Sequence, residues 1–550
     1  MIAYHNGVNP NKSLPSEVCM KKTAVFPLTL LLILLTACQR TQPIAATLVP
    51  TAVVQATNNP LPTTPPATIS STATASQTAV PDAAPTTLLN HPFADRTPFQ
   101  SGLLPSEQAV LDQLPGATDY QMALTIEPGL TKINGRQQIR YTNQEKVKLT
   151  NLYFHLFPNI LGGSITVEDV AVNNQAATPA LEQGGSVLRV PLPTPLQPGA
   201  ETAVSLTFHT TIPQDSGRNY GVFATLDNIL ALAHFYPMVA VYDDEGWNIA
   251  PPSEGGDVTY GDSSFFLVQI TAPAAQTIAT SGVVIDHISS GDTQTVTVAA
   301  GPMRDFYLAS SDRFVSHSDT VNGITINSFA PQGMDAGAQL ALETAVFAVQ
   351  TYSTRFGPYP YTELDLVTTP TSALGVEYPG IIANAIRIYD SGDGTPNRNF
   401  LESTTAHEVG HQWFYGLIGN DQLDEPWLDE SLTQYVTWLY YLDKYGEQGA
   451  DGFYQSLEGR WESVGQTAVP IGQPVAEFSP IEYSAIVYGR GPIFLRELAA
   501  TVGEETFARF LQHYYQQYRW GITTTADFQS LLETECACDL TEAFAAVNGR

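Results

Sequence analysis

The chain has 550 residues, 43% of them hydrophobic, which is enough for two or three domains with ordinary cores. Its 54 acidic and 24 basic side chains leave a formal net charge of -30. That balance argues against nucleic acid or an anionic membrane surface as a partner, because both would be repelled, and the acidity is read as a solubility feature.

Residues 1–19 have no features of their own, and translation is expected to begin at Met20, which would make Cys19 irrelevant. Met20-Lys21-Lys22 is followed by an apolar run from Ala24 to Ala37 ending in Leu35-Thr36-Ala37-Cys38. A positive start, a short hydrophobic core and a small residue before the cut describe a secretory signal, and the run is short for a membrane span. Residues 20–38 resemble a bacterial lipoprotein signal. The resemblance implies lipidation of Cys38 and anchoring on the outer side of the cytoplasmic membrane, where two acyl chains hold stably and one does not. Residues 39–95 are rich in Thr, Pro and Ala and nearly uncharged, so they are expected to form an extended tether with a reach on the order of 40 Å.

From about Asp119 to Phe314 the pattern alternates. Val204, Leu206 and Phe208 are interleaved with Ser205 and Thr207, and Phe266 to Ile270 and Thr295 to Val298 behave alike, with Gly, Pro and Asn at the turns. This predicts an N-terminal antiparallel β domain over 96–320. After about Val321 the period becomes helical. A helix is expected over Asp335 to Arg355, a break at Phe356 to Tyr361, a strand at Leu364 to Val367 and further helices in a second, largely helical domain over 321–550.

His407, Glu408 and His411 form a His-Glu-x-x-His run within Phe400 to Tyr415, read as a mostly buried helix. Histidines four apart lie one turn apart on the same helical face and can share one zinc ion, with Glu408 beside it as a base. Eighteen residues separate His411 from Glu430, which opens a second helical pattern running to about Tyr445. Three ligands from two helices leave a fourth position for water, the coordination of a catalytic zinc, one per chain. Cys536 and Cys538 are separated by one residue, too short a span for an unstrained bridge, and are expected to be free or loosely paired thiols.

Gly375-Val376-Glu377-Tyr378-Pro379, then His407 to Trp413, then Trp427-Leu428-Asp429-Glu430, then Val487-Tyr488-Gly489-Arg490-Gly491 follow in an order that resembles the gluzincin aminopeptidases, the family of aminopeptidase N and leukotriene hydrolase. The likeness covers most of residues 120–550 and includes Phe356 to Tyr361 and Arg304-Asp305-Phe306-Tyr307. It implies a β domain followed by a thermolysin-like catalytic domain, peptide substrates with free amino termini, and hydrolysis one residue from that terminus. By the same likeness Gly375 and Glu377 belong to the amine-binding segment, where a fixed carboxylate pairs with an ammonium and rejects a blocked terminus. Tyr488 is implied as the phenol that stabilises the reaction's oxyanion, with Tyr483 its nearest competitor. Val376, Tyr378 and Asp429 depart from the family's usual Met, Asn and Asn. The chain stops about where the family's catalytic domain ends, so the cleft is expected to be more open than in longer relatives. A second amine-binding residue from the β domain is not identifiable in the sequence. A thermolysin-like endopeptidase and an inactive tethered binding module remain as alternatives, and oligomeric state is not indicated.

Overall fold

Alternation along Glu201–Thr211 buries Val204, Leu206 and Phe208 on one face of a sheet, and Phe208 lies so close to Gly135 on the neighbouring strand that a Cβ there would collide with its ring. The computed structural model describes residues 87–216, 219–252, 255–256 and 260–549. The signal, Cys38 and most of the expected tether lie outside the described residues. From Thr87 onward the segment read as tether is folded: Leu88 and Leu89 are buried, and the Gln121 amide donates to the His91 carbonyl at 2.7 Å. No described helix is long and apolar enough to cross a membrane.

The β domain is built on an eight-stranded sheet in the order Val283–Ser290, Thr293–Met303, Ser264–Pro273, Asp119–Ile126, Lys132–Thr142, Glu201–Thr211, Ser164–Val172, Gln175–Ala176, with two four-stranded sheets beside it. It departs from the expected all-antiparallel pattern at one pair, because Asp119–Ile126 runs parallel to Ser264–Pro273. Those strands are joined by a long excursion that forms most of the domain, so no hairpin dictates their direction.

A five-stranded mixed sheet then begins at Phe314, so its first strand, Phe314–Val321, runs across the expected 320/321 boundary. The order is Phe314–Val321, Ile324–Pro331, Glu363–Thr369, Ile381–Ala385, Gly375–Tyr378, which leaves Gly375–Tyr378 as an edge strand. Asp335–Arg355 is helical as expected and packs on the Arg398–Gly410 helix, with Tyr352 donating to the Ala406 carbonyl at 3.0 Å.

Arg304 ties the two domains together. Its buried guanidinium donates to the carbonyls of Tyr415 (2.7 Å), Gly261 (3.0 Å), Leu417 (3.2 Å) and Gly521. Burial lowers its pKa and neighbouring Asp262 opposes that shift. Gly419 is a glycine because a Cβ there would collide with the guanidinium. Arg304→Met would strand these carbonyls and leave Asp262 without its cation, a loss of about 3–5 kcal/mol. The check is the denaturant or thermal midpoint; one matching that of the unmodified protein would contradict this role.

Cys536 and Cys538 are joined in a disulfide, which corrects the expectation of free or loosely paired thiols. Ala537 between them adopts left-handed backbone angles (φ 52°, ψ 42°) at the end of the Thr525–Cys536 helix. The Cα atoms then stand 5.2 Å apart, inside the range that disulfides span.

Candidate metal and peptidase site

The helix carrying the His-Glu-x-x-His run spans Arg398–Gly410 and stops earlier than the expected Tyr415, with Phe400 38% exposed. His411 keeps helical angles (φ -63°, ψ -16°), and its amide still donates to the His407 carbonyl at 3.2 Å, so the two imidazoles remain one turn apart. Gly410 lets the Glu430 helix approach: a Cβ would stand 2.9 Å from Thr433 and 3.0 Å from Val436. Glu430 is the first residue of the Glu430–Glu462 helix, and non-helical angles at Gly446 break that helix where the pattern was expected to end.

His407 Nε2, His411 Nε2 and Glu430 Oε2 converge: the two nitrogens are 3.1 Å apart, and the oxygen is 3.2 Å from one and 3.3 Å from the other. A tetrahedral site with metal–ligand distances of about 2.0–2.1 Å has edges of roughly 3.3 Å, so the donor set fits zinc. His411 Nδ1 lies 3.1 Å from the Phe414 carbonyl and 3.2 Å from the Thr433 hydroxyl. The carbonyl can only accept, so it holds the proton on Nδ1 and leaves the Nε2 lone pair facing inward. Asp429 caps the Glu430 helix, accepting from the Glu430 amide at 2.7 Å and from Gln422 at 2.6 Å, and burial with nearby Glu430 pushes its carboxyl up to about 7.

Glu408 lies beside His411, with Glu377 on its other side. Oxygens of Glu377 and Glu408 and a ring nitrogen of His411 lie within 4.8 Å of one another, and all three residues are buried. Neither oxygen of Glu408, nor Oε2 of Glu377, has a hydrogen-bond partner among the described residues. Burial, then the charge on Glu377, raises the Glu408 carboxyl well above its ordinary range. Burial pushes His407 down to about 3, whereas on His411 burial is outweighed by Glu377, Glu430 and Glu408, so its Nε2 favours a cation beside it, a proton or a metal ion in the same place. So many buried carboxylates together call for cations.

Gly375 and Glu377 sit on the edge strand, and a Cβ at Gly375 would collide with the Glu408 carboxyl, so that glycine makes room for Glu408. Tyr488 is buried on a π-helical turn, Ile486–Arg490, and its hydroxyl donates to Glu430 Oε1. Such turns often mark functional sites. Tyr483 packs its ring against Tyr488 at 5.6 Å.

Sequence reasoning missed the β-domain residues that pack on the edge strand through Tyr378, the neighbour of Glu377. Tyr307 stacks on Tyr378 at 4.0 Å, and the edge of Tyr378 meets His234 at 6.1 Å. His234 Nδ1 lies 2.8 Å from Asp305, which also accepts from Tyr236 at 2.9 Å. The signal was present in Arg304-Asp305-Phe306-Tyr307, where Asp305 and Tyr307 serve the packing on the edge strand and Arg304 serves the domain junction.

Residues 340–546 match the Peptidase family M1 domain. Among curated proteins, the chain is 27% identical over 259 residues to "Probable aminopeptidase 2" of Sulfurisphaera tokodaii, covering 45% of this chain and 33% of that one. It is 25% identical over 286 residues to "Aminopeptidase M1-B" of Oryza sativa subsp. japonica, covering 49% and 32%. The matched region thus spans about a third of those relatives' length. Among solved structures, the M1 zinc metallopeptidase from Deinococcus radiodurans superposes with a TM-score of 0.60 at 20% identity, covering 79% of this chain and 93% of that one. A two-domain M1 zinc metallopeptidase bound to L-arginine gives 0.59 at 18% identity over 79% and 93%. These likenesses establish the fold, a β domain followed by a largely helical domain.

Proposed function

We propose that this chain, which belongs to peptidase family M1 through its domain at residues 340–546, is a zinc-dependent aminopeptidase that removes single residues from the amino terminus of peptides. The observation that carries the reading is the closeness of Glu377 to Glu408 and His411, within 4.8 Å. An ammonium held by Glu377 is then separated by one Cα, about 2.5 Å, from the carbonyl presented to the metal ligands. A longer amino-terminal extension would have to pass through Glu377 and the edge strand.

His407, His411 and Glu430 would hold the metal, which supplies Lewis-acid polarisation of the attacking water and of the scissile carbonyl. Glu408 accepts the proton of the water and delivers it to the departing amine; its unpartnered oxygens and raised affinity for protons suit both tasks. Tyr488, whose hydroxyl rests on Glu430, is placed beside the metal ligands as a neutral donor to the developing oxyanion. Glu377 selects the free terminus.

The test is mass spectrometry of one peptide with a free and with an acetylated amino terminus, incubated with the zinc-loaded protein. Stepwise loss of single residues from the free form alone is expected. Internal cuts in both forms would establish an endopeptidase instead, and an absence of cleavage would leave a binding module.

The segment Leu35-Thr36-Ala37-Cys38 supports a further proposal, that the protein is anchored through lipid on Cys38 at the outer side of the cytoplasmic membrane of a bacterial cell. Labelled palmitate should enter the wild-type chain but not a Cys38→Ser variant; equal labelling of both would defeat it.

A further inference from the structure

Glu377 makes no hydrogen bond through Oε2 among the described residues. The residue is carried by backbone that has few neighbours of its own. That backbone is an edge strand, Gly375–Tyr378, paired through the sheet only with Ile381–Ala385. What fixes the strand toward the metal ligands is a side chain of the metal-binding segment. Gln412, 1% exposed, accepts from the Gly380 amide at 2.9 Å through Oε1 and donates to the Tyr378 carbonyl at 3.1 Å through Nε2. One side-chain amide thus pairs with a backbone donor and a backbone acceptor, as a neighbouring peptide group would.

Gln412 is four residues beyond Glu408, on the turn that follows the helix, where its amide donates to the Val409 carbonyl at 3.1 Å. At the strand's start, Gly375 lies against the Glu408 carboxyl; at its end, Tyr378 and Gly380 are held by Gln412. The strand is thus seated at both ends on the segment that presents the general base.

We infer that Gln412 is a positioning residue that fixes the distance between Glu377 and Glu408 and so sets the cut one residue from the amino terminus. It touches neither substrate nor metal in this role, and it rests on the aminopeptidase reading above. A displacement on the order of 1 Å of a positioning group can cost about a hundredfold in rate, so the effect should be large although the chemistry stays intact.

The experiment compares wild type with Gln412→Met, which keeps the length and loses both hydrogen bonds, and Gln412→Glu, which keeps the acceptor for Gly380 and loses the donor to Tyr378. Zinc content, melting temperature, kcat and KM are measured on one peptide with a free and with an acetylated terminus. Gln412→Met should bind one zinc and show a KM for the free peptide raised about 10- to 100-fold, with a smaller fall in kcat and at least a tenfold lower preference for the free over the acetylated form. Gln412→Glu should fall between it and wild type. An unchanged KM and preference in Gln412→Met would overturn the inference, as would a loss confined to kcat. Loss of zinc or of the folded state in both variants would assign Gln412 to the fold and overturn it equally. A wild type that cuts internally or not at all defeats the aminopeptidase reading itself, and the inference with it.

Discussion

Glu408→Gln should lower turnover by about a thousandfold or more while zinc stays bound at one per chain. A positioned general base contributes roughly 10² to 10⁴, and in the proposed mechanism one carboxyl both receives a proton from the water and returns one to the leaving amine. Glutamine preserves the shape that Gly375 accommodates but can do neither. Glu408 stands outside the triangle of His407, His411 and Glu430, so metal content should match wild type, whereas Glu430→Ala should lose the metal. Stability should not fall, because the substitution removes one of several buried carboxyls whose mutual repulsion the fold tolerates for activity. The measurements are kcat, zinc by elemental analysis, and the melting midpoint. A Glu408→Gln variant with turnover within a factor of ten of wild type would remove Glu408 from the mechanism.

What could be read before the structure depends on how far each feature's cause lies along the chain. The convergence of His407, His411 and Glu430 was legible because helical periodicity puts the two histidines on one face, and because Glu430 opens the next helix. The break at Gly446 was legible for a similar local reason. Gln412 carries no signal of its own in the sequence, since its partners are backbone groups of Tyr378 and Gly380, which no side-chain pattern reveals. Gly375 was attributed to amine binding, whereas its lack of a Cβ is explained by Glu408 lying against it. Arg304 answers to carbonyls as far away as Gly521, and the parallel pairing of Asp119–Ile126 with Ser264–Pro273 spans most of a domain. The disulfide was misjudged because it turns on one left-handed residue, Ala537, and alanine gives no local signal for that conformation.

Glu377→Gln should leave the fold and the metal in place and abolish the preference for a free amino terminus. The carboxylate is buried, beside Glu408, with Oε2 unpartnered among the described residues. An ammonium arriving there meets a desolvated negative charge, and truncating one partner of such a pair costs about 2–5 kcal/mol. That corresponds to a rise in KM of about 30-fold or more for free peptides, at roughly 1.4 kcal/mol per factor of ten. Acetylated peptides never engage the charge and should be cleaved no worse than by wild type, so the ratio between the two forms should collapse toward one. If Glu377→Gln kept the wild-type KM for free peptides and still rejected acetylated ones, the amine would have to be held elsewhere, and the register of the cut would lose its physical basis in the edge strand.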